Sequence, residues 1–107
     1  MVRLKALDGK DAFPLCFGCM QFGGTADAAA SRVMFDACRE AGINFFDKAH
    51  TYTGGQSEEL LGGFIQQNRD TLTIATKTGY TGGSGRENIR AQFDESRSRL
   101  RLDVVDI

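Results

Sequence analysis

The chain has 107 residues, 41% apolar and 25% charged, the composition of an ordinary folded protein, which excludes disorder and sets one domain over 1–107 as the expectation. Thirteen basic and 14 acidic residues give a net charge of −1 with no block of like charge, which argues against nucleic acid or an anionic membrane as the main partner. No apolar run is long enough to span a bilayer, and Met1 to Lys10 lacks the apolar stretch of a signal peptide, so the expected location is the cytoplasm.

In chain order, residues 1–14 read as a β-hairpin. Val2 to Leu7 alternates apolar and basic residues, Asp8-Gly9 is a short-turn signal, and Ala12-Phe13 begins the return before Pro14. Leu15 to Met20 reads as the next strand. Gly23-Gly24-Thr25 breaks the chain ahead of a helix over about Asp27 to Ala41. The apolar stripe of that helix is Ala30, Val33, Met34, Ala37, Cys38 and Ala41, and Gly42 ends it in a left-handed conformation. Ile43 to Phe46 is a short apolar strand, followed by a polar stretch to Gly55. A second helix starts near Ser57, with Glu58 and Glu59 favoured by the helix dipole and Leu60, Leu61, Phe64 and Ile65 on its buried side. Gly62-Gly63 within it indicates close packing against a neighbour. Thr71 to Lys77 is a strand. Ser84-x-x-Glu87 reads as a capping box for a third helix, running to about Leu100, with Ile89, Phe93 and Leu100 inward. Asp103 to Ile107 begins a fourth strand. Residues 15–107 therefore read as βα units of an α/β fold with a parallel sheet and right-handed crossovers.

The cysteines Cys16, Cys19 and Cys38 cannot all pair within one chain. Cys16-x-x-Cys19 has a metal or redox spacing, but it lies in a strand pattern, where its two thiols face opposite ways. Cys16 and Cys38 are expected to be small buried hydrophobes.

In parallel α/β folds, functional groups gather where strands end. That rule places Cys19 after the first βα strand, Asp47 to Tyr52 after the second and Lys77 after the third. A thiol, a carboxylate, an imidazole, a phenol and an amine would share one rim. Each also has a plain reading: Asp47 as a turn cap, Tyr52 as a half-buried loop residue, Lys77 and His50 as solvated side chains.

The run Gly42-Ile-Asn-Phe-Phe-Asp47-Lys-Ala49-His-Thr-Tyr52, with Ser57-Glu58 and Leu61-Gly62, resembles the first signature of the aldo-keto reductases. Thr73 to Lys77 resembles the strand that carries the catalytic lysine of that family. Glu95-Ser96 through Leu100, with Asp103-Val-Val-Asp-Ile107, resembles its second signature. The resemblance covers the whole chain and implies part of a (β/α)₈ barrel whose bottom the N-terminal hairpin plugs. It also implies a site of Asp47, Tyr52, Lys77 and a histidine. In the family the tyrosine protonates a carbonyl as NADPH delivers hydride, the lysine and aspartate lower its pKa, and the aspartate touches the nicotinamide ribose. The family's histidine lies beyond the fourth strand, past Ile107, and Lys48 stands where a small hydroxyl residue is usual. The expectation is that this chain alone neither binds NADPH nor works as a reductase.

Three and a half βα units leave open sheet edges, so self-association into a homodimer or higher oligomer is expected to complete the barrel. On such an oligomer Asp47, His50 and Cys19 could hold Zn²⁺ or Mn²⁺, with Lys77 or Lys48 steadying an anionic transition state. Metal-assisted hydrolysis of an ester or phosphoester is the active reading this favours. A reductase remnant, or a non-catalytic self-associating module, is the alternative.

Overall fold

A computed structural model describes residues 3–107. Its frame is β1 (Phe17–Gly18), α1 (Ala28–Glu40), β2 (Phe45–Asp47), α2 (Gln56–Ile65), β3 (Thr73–Ala75) and α3 (Arg86–Leu100), with single turns of 3₁₀ helix at Tyr52–Gly55 and Arg69–Thr71. The strands pair in parallel in the order β1-β2-β3, with Gly18, Asp47 and Ala75 in one row. The alternation of strand and helix expected from the sequence is present, although each strand is shorter than its apolar run.

The hairpin is present in its described part, Val2 lying outside the described residues. Ala6 N donates to Lys10 O at 2.8 Å and Ala12 N to Leu4 O at 2.9 Å, around Gly9 at φ 85°. It sits against the N-terminal ends of the strands. Asn44, buried just ahead of β2, accepts from Phe13 N at 2.7 Å and donates to Asp11 O and Thr71 O at 3.1 and 3.3 Å. One amide thus ties the hairpin to the sheet.

Period-two alternation sends Phe46 and Ile74 to the helix-covered side. Phe46 is fully buried, with its ring 4.9 Å from Phe35 of α1 and 6.3 Å from Phe17 of β1. Leu61, Ile65, Leu72 and Leu100 complete this layer.

The helix faces differ from those expected. In α1 the buried positions are Ser31, Phe35 and Cys38, with Met34 beside them, whereas Val33 is 68% exposed and Ala30, Ala37 and Ala41 are exposed. Phe35 outweighs the alanines because its ring buries far more apolar area. In α3 the buried face is Gln92, Ser96 and Leu100, and Ile89 and Phe93 stay partly in water. The capping box does not form either. Gly85 occupies the position ahead of α3 with no side-chain cap, while Asn88 and Gln92 reach back to Thr81 O at 2.9 and 2.7 Å. At α1 the expected stop holds, with Gly42 at φ 87°, and the structure adds an N-cap in which Asp27 Oδ1 accepts from Ala30 N at 2.8 Å.

The fourth strand is not formed as a strand. Residues 103–107 run alongside β3, with Asp106 N donating to Ile74 O and Thr76 N to Ile107 O, both at 3.0 Å. The ladder stops there because the Asp106 carboxylate, held by Arg69 at 2.9 Å, takes Ile74 N at 2.8 Å in place of a backbone carbonyl. No helix among the described residues is long and apolar enough to cross a membrane.

Gly62 is where α2 meets α3. A Cβ there would fall 2.6 Å from Arg99 O and 2.7 Å from Leu100 Cα, whereas one at Gly63 would meet nothing. Gly62→Ala therefore destabilises by about 1–3 kcal/mol despite alanine's better helix propensity. Gly63→Ala, free of contact, stabilises by roughly 0.5–1 kcal/mol. Urea unfolding of the pair checks this, and a stabilising Gly62→Ala would refute the close approach.

Candidate active site at the strand ends

Asp47 closes β2, and Lys77 follows β3 by two residues. Both emerge on the sheet face opposite Phe46. The Lys77 ammonium donates to Asp47 Oδ1 and Oδ2 at 2.8 and 2.7 Å and to Lys48 O at 3.1 Å. Tyr52 opens the 3₁₀ turn, and Lys77 Nζ lies 5.4 Å from its ring centroid. Partial burial pulls the Lys77 amine down, but the hydrogen bonds and charge of Asp47, with Tyr52 beside it, hold it above its ordinary value. It is a fixed cation. A cleft of about 500 Å³ opens beside it, lined by Ala49, Thr51, Tyr52, Lys77, Tyr80 and Gln92. Asp47, Tyr52 and Lys77 are thus brought together as the sequence led us to expect.

The other rim residues are not. Cys19 is fully buried, its backbone N paired to Asp47 O at 2.7 Å, and burial pushes its thiol up, away from the thiolate that metal binding needs. His50 turns to α3, with Nε2 2.8 Å from Glu95 Oε2. Asp47, His50 and Cys19 therefore do not converge, and among the described residues no group of three or more His, Cys, Asp and Glu is arranged to hold a metal ion. The Zn²⁺ or Mn²⁺ hydrolase reading finds no support in this arrangement. Cys16 also departs from expectation: it is exposed, on the Asp47 face, while Cys38 is buried as expected.

Lys48 does not stand beside the Asp47 carboxylate. Alternation sends it to the helix side, where it is fully buried and donates to Ala75 O at 2.8 Å. Burial lowers its amine to about 8, with Glu58 opposing the shift. Glu58 is itself fully buried, accepting from Thr76 Oγ1 at 2.8 Å, Ser96 Oγ at 3.0 Å and Arg99 Nη1 at 3.3 Å. The sequence marked Glu58 only as a helix-dipole residue. Its role in joining α2 to the residue after β3 and to α3 had no sequence signal beyond its place in the first signature.

The profile of the aldo/keto reductase family matches residues 14–107. The chain is 33% identical to a norsolorinic acid reductase of Aspergillus flavus over 97% of its own length and 32% of that protein's. It is 40% identical to the norsolorinic acid reductase stcV of Emericella nidulans over 94% of its length and 29% of that protein's. It superposes on the holo form of an aldo-keto reductase of Bacillus halodurans with a TM-score of 0.78 and 28% identity, covering 98% of this chain and 38% of that one. The chain thus spans about a third of the curated relatives it matches, and its fold is the corresponding part of their (β/α)₈ barrel.

Proposed function

The chain belongs to the aldo/keto reductase family, and on that basis we propose that it carries the proton-donating part of a nicotinamide-dependent carbonyl reductase. The observation that carries this is one ammonium held by a carboxylate beside a phenol ring: Lys77 Nζ grips both Asp47 oxygens and lies 5.4 Å from the centroid of the Tyr52 ring, beside an open cleft. Tyr52 gives its phenolic proton to the carbonyl oxygen, and the Lys77 cation stabilises the phenolate left behind. Asp47 holds Lys77 in place and keeps that cation paired.

Asp47 is one-third exposed, and its carboxylate is an acceptor suited to the hydroxyls of a ribose, so the residues present fit one end of a reduced nicotinamide cofactor. Such a cofactor, when bound, supplies the hydride. Asp47 would hold its sugar, and Tyr52 and Lys77 would face the carbonyl oxygen. The metal-hydrolase expectation is set aside, because its ligands diverge while these residues converge.

The test is a chimera in which residues 14–107 replace the matching part of the Bacillus halodurans reductase. NADPH-dependent reduction of an aldehyde, followed by loss of nicotinamide absorbance, is expected to persist. A chimera that folds and binds NADPH yet reduces no carbonyl would refute the proposal.

A further inference from the structure

The segment that carries Tyr52 is strained, and α3 holds it in place. Thr53, Gly54 and Gly55 are consecutive left-handed residues, with φ of 51°, 65° and 95°. A β-branched residue such as Thr53 rarely adopts that conformation, and strain of this kind persists only where the surroundings over-determine it. Thr53 Oγ1 donates to Phe22 O at 2.7 Å and accepts from Ser57 N at 2.9 Å, which fixes the middle of the turn.

Its two flanks are fixed by one side chain. Arg99 Nη1 donates to His50 O at 2.8 Å, two residues before Tyr52. The same guanidinium lies against Gly55, three residues after it, where a Cβ would fall 2.5 Å from Arg99 Cζ. Glu95 aims this fork from one turn earlier in α3: its Oε2 is 3.3 Å from Arg99 Nη2 and 2.8 Å from His50 Nε2. Glu58 holds Nη1 from below at 3.3 Å. A planar fork of several donors can serve these partners at once, which a single ammonium could not.

We infer that Arg99, aimed by Glu95, is a positioning residue that clamps the 50–55 turn at both ends and so sets Tyr52 against Lys77. The inference rests on the reading of Tyr52 and Lys77 as the acid and its cation. Neither Arg99 nor Glu95 touches the cleft. Gly55 is glycine first because its φ of 95° strains any other residue, and a side chain there would also push on the guanidinium.

The test is nuclear magnetic resonance on the whole chain carrying Tyr80→Phe, which leaves Tyr52 as the one tyrosine ring of the two in the sequence. The Lys77 ε-protons are expected to show a nuclear Overhauser effect to that ring. Arg99→Met is expected to lose it while the core methyl signals of Ile65 and Ile74 stay dispersed. Glu95→Ala is expected to weaken it, and Glu95→Gln, which keeps an acceptor for Arg99 and His50, to restore it. An unchanged effect in Arg99→Met overturns the clamp. If Arg99→Met does not fold, Glu95→Ala decides alone, since Glu95 is exposed and alanine suits a helix. A missing effect in the Tyr80→Phe parent overturns the Tyr52–Lys77 juxtaposition, and the clamp with it. An effect that is present and clamp-dependent, beside an inactive chimera, refutes the reductase reading alone.

Discussion

Tyr52→Phe in the chimeric barrel is expected to lower kcat/KM for aldehyde reduction by about 10²–10⁴-fold, the usual worth of a positioned general acid. The substitution keeps the ring beside Lys77, at 5.4 Å from the ammonium, and removes only the hydroxyl. Turn and cleft are therefore left intact. The lost interaction is made only as negative charge develops on the carbonyl oxygen, so kcat and kcat/KM should fall together while KM and NADPH affinity hold. A loss below tenfold would mean that water or another group supplies the proton. Proportionate losses in cofactor affinity would instead point to a packing role for the phenol.

The order of elements and the convergence of Asp47, Tyr52 and Lys77 were legible because both follow from spacing. Strand ends in a parallel sheet come to one side, and a residue at each end needs only the right register. Facing was harder to read. Counting apolar residues placed Val33 and Ile89 inward, but the faces that turn inward include Ser31, Gln92 and Ser96, whose polar atoms find partners in Ala26 O, Gly79 N and Glu58 Oε1. Apolar periodicity cannot register a buried polar group that is satisfied. The same limit explains the failed metal set. Cys19 and His50 stand at strand ends, yet the side each one takes depends on one-residue differences in where the strand stops. His50 is further captured by Glu95, 45 positions away, through a contact no local pattern announces. Arg99, which bridges both flanks of the turn, reads in the sequence as one more arginine on a charged helix.

Lys48→Met is expected to raise stability at pH 7 by up to about 3 kcal/mol, a gain that shrinks as the pH climbs from about 8 to about 10.5. The Lys48 amine is fully buried, and burial is the first cause of its fall from 10.5 to about 8. Below pH 8 the folded and unfolded chains both carry this proton, so the folded state bears the full penalty of a charge withdrawn from water. Between about 8 and 10.5 the folded chain has released the proton while the unfolded chain still binds it. The wild type gains stability with rising pH over that window, and above it the penalty is gone. Methionine matches the length of the stem and carries no charge, so its stability lacks this rise. Glu58 does not become an orphan in the variant, because Thr76, Ser96 and Arg99 still bond its carboxylate. For a chain of this size each kcal/mol is worth roughly 4–8 °C in Tm, well within the reach of thermal unfolding at several pH values. The difference between the two proteins isolates Lys48 from every other group that titrates in alkali. Curves that stay parallel from pH 7 to 10.5 would show that the amine is solvated, or that Glu58 offsets its burial in full. A variant less stable than wild type at pH 7 would show that the bond from Lys48 to Ala75 O outweighs the cost of the charge.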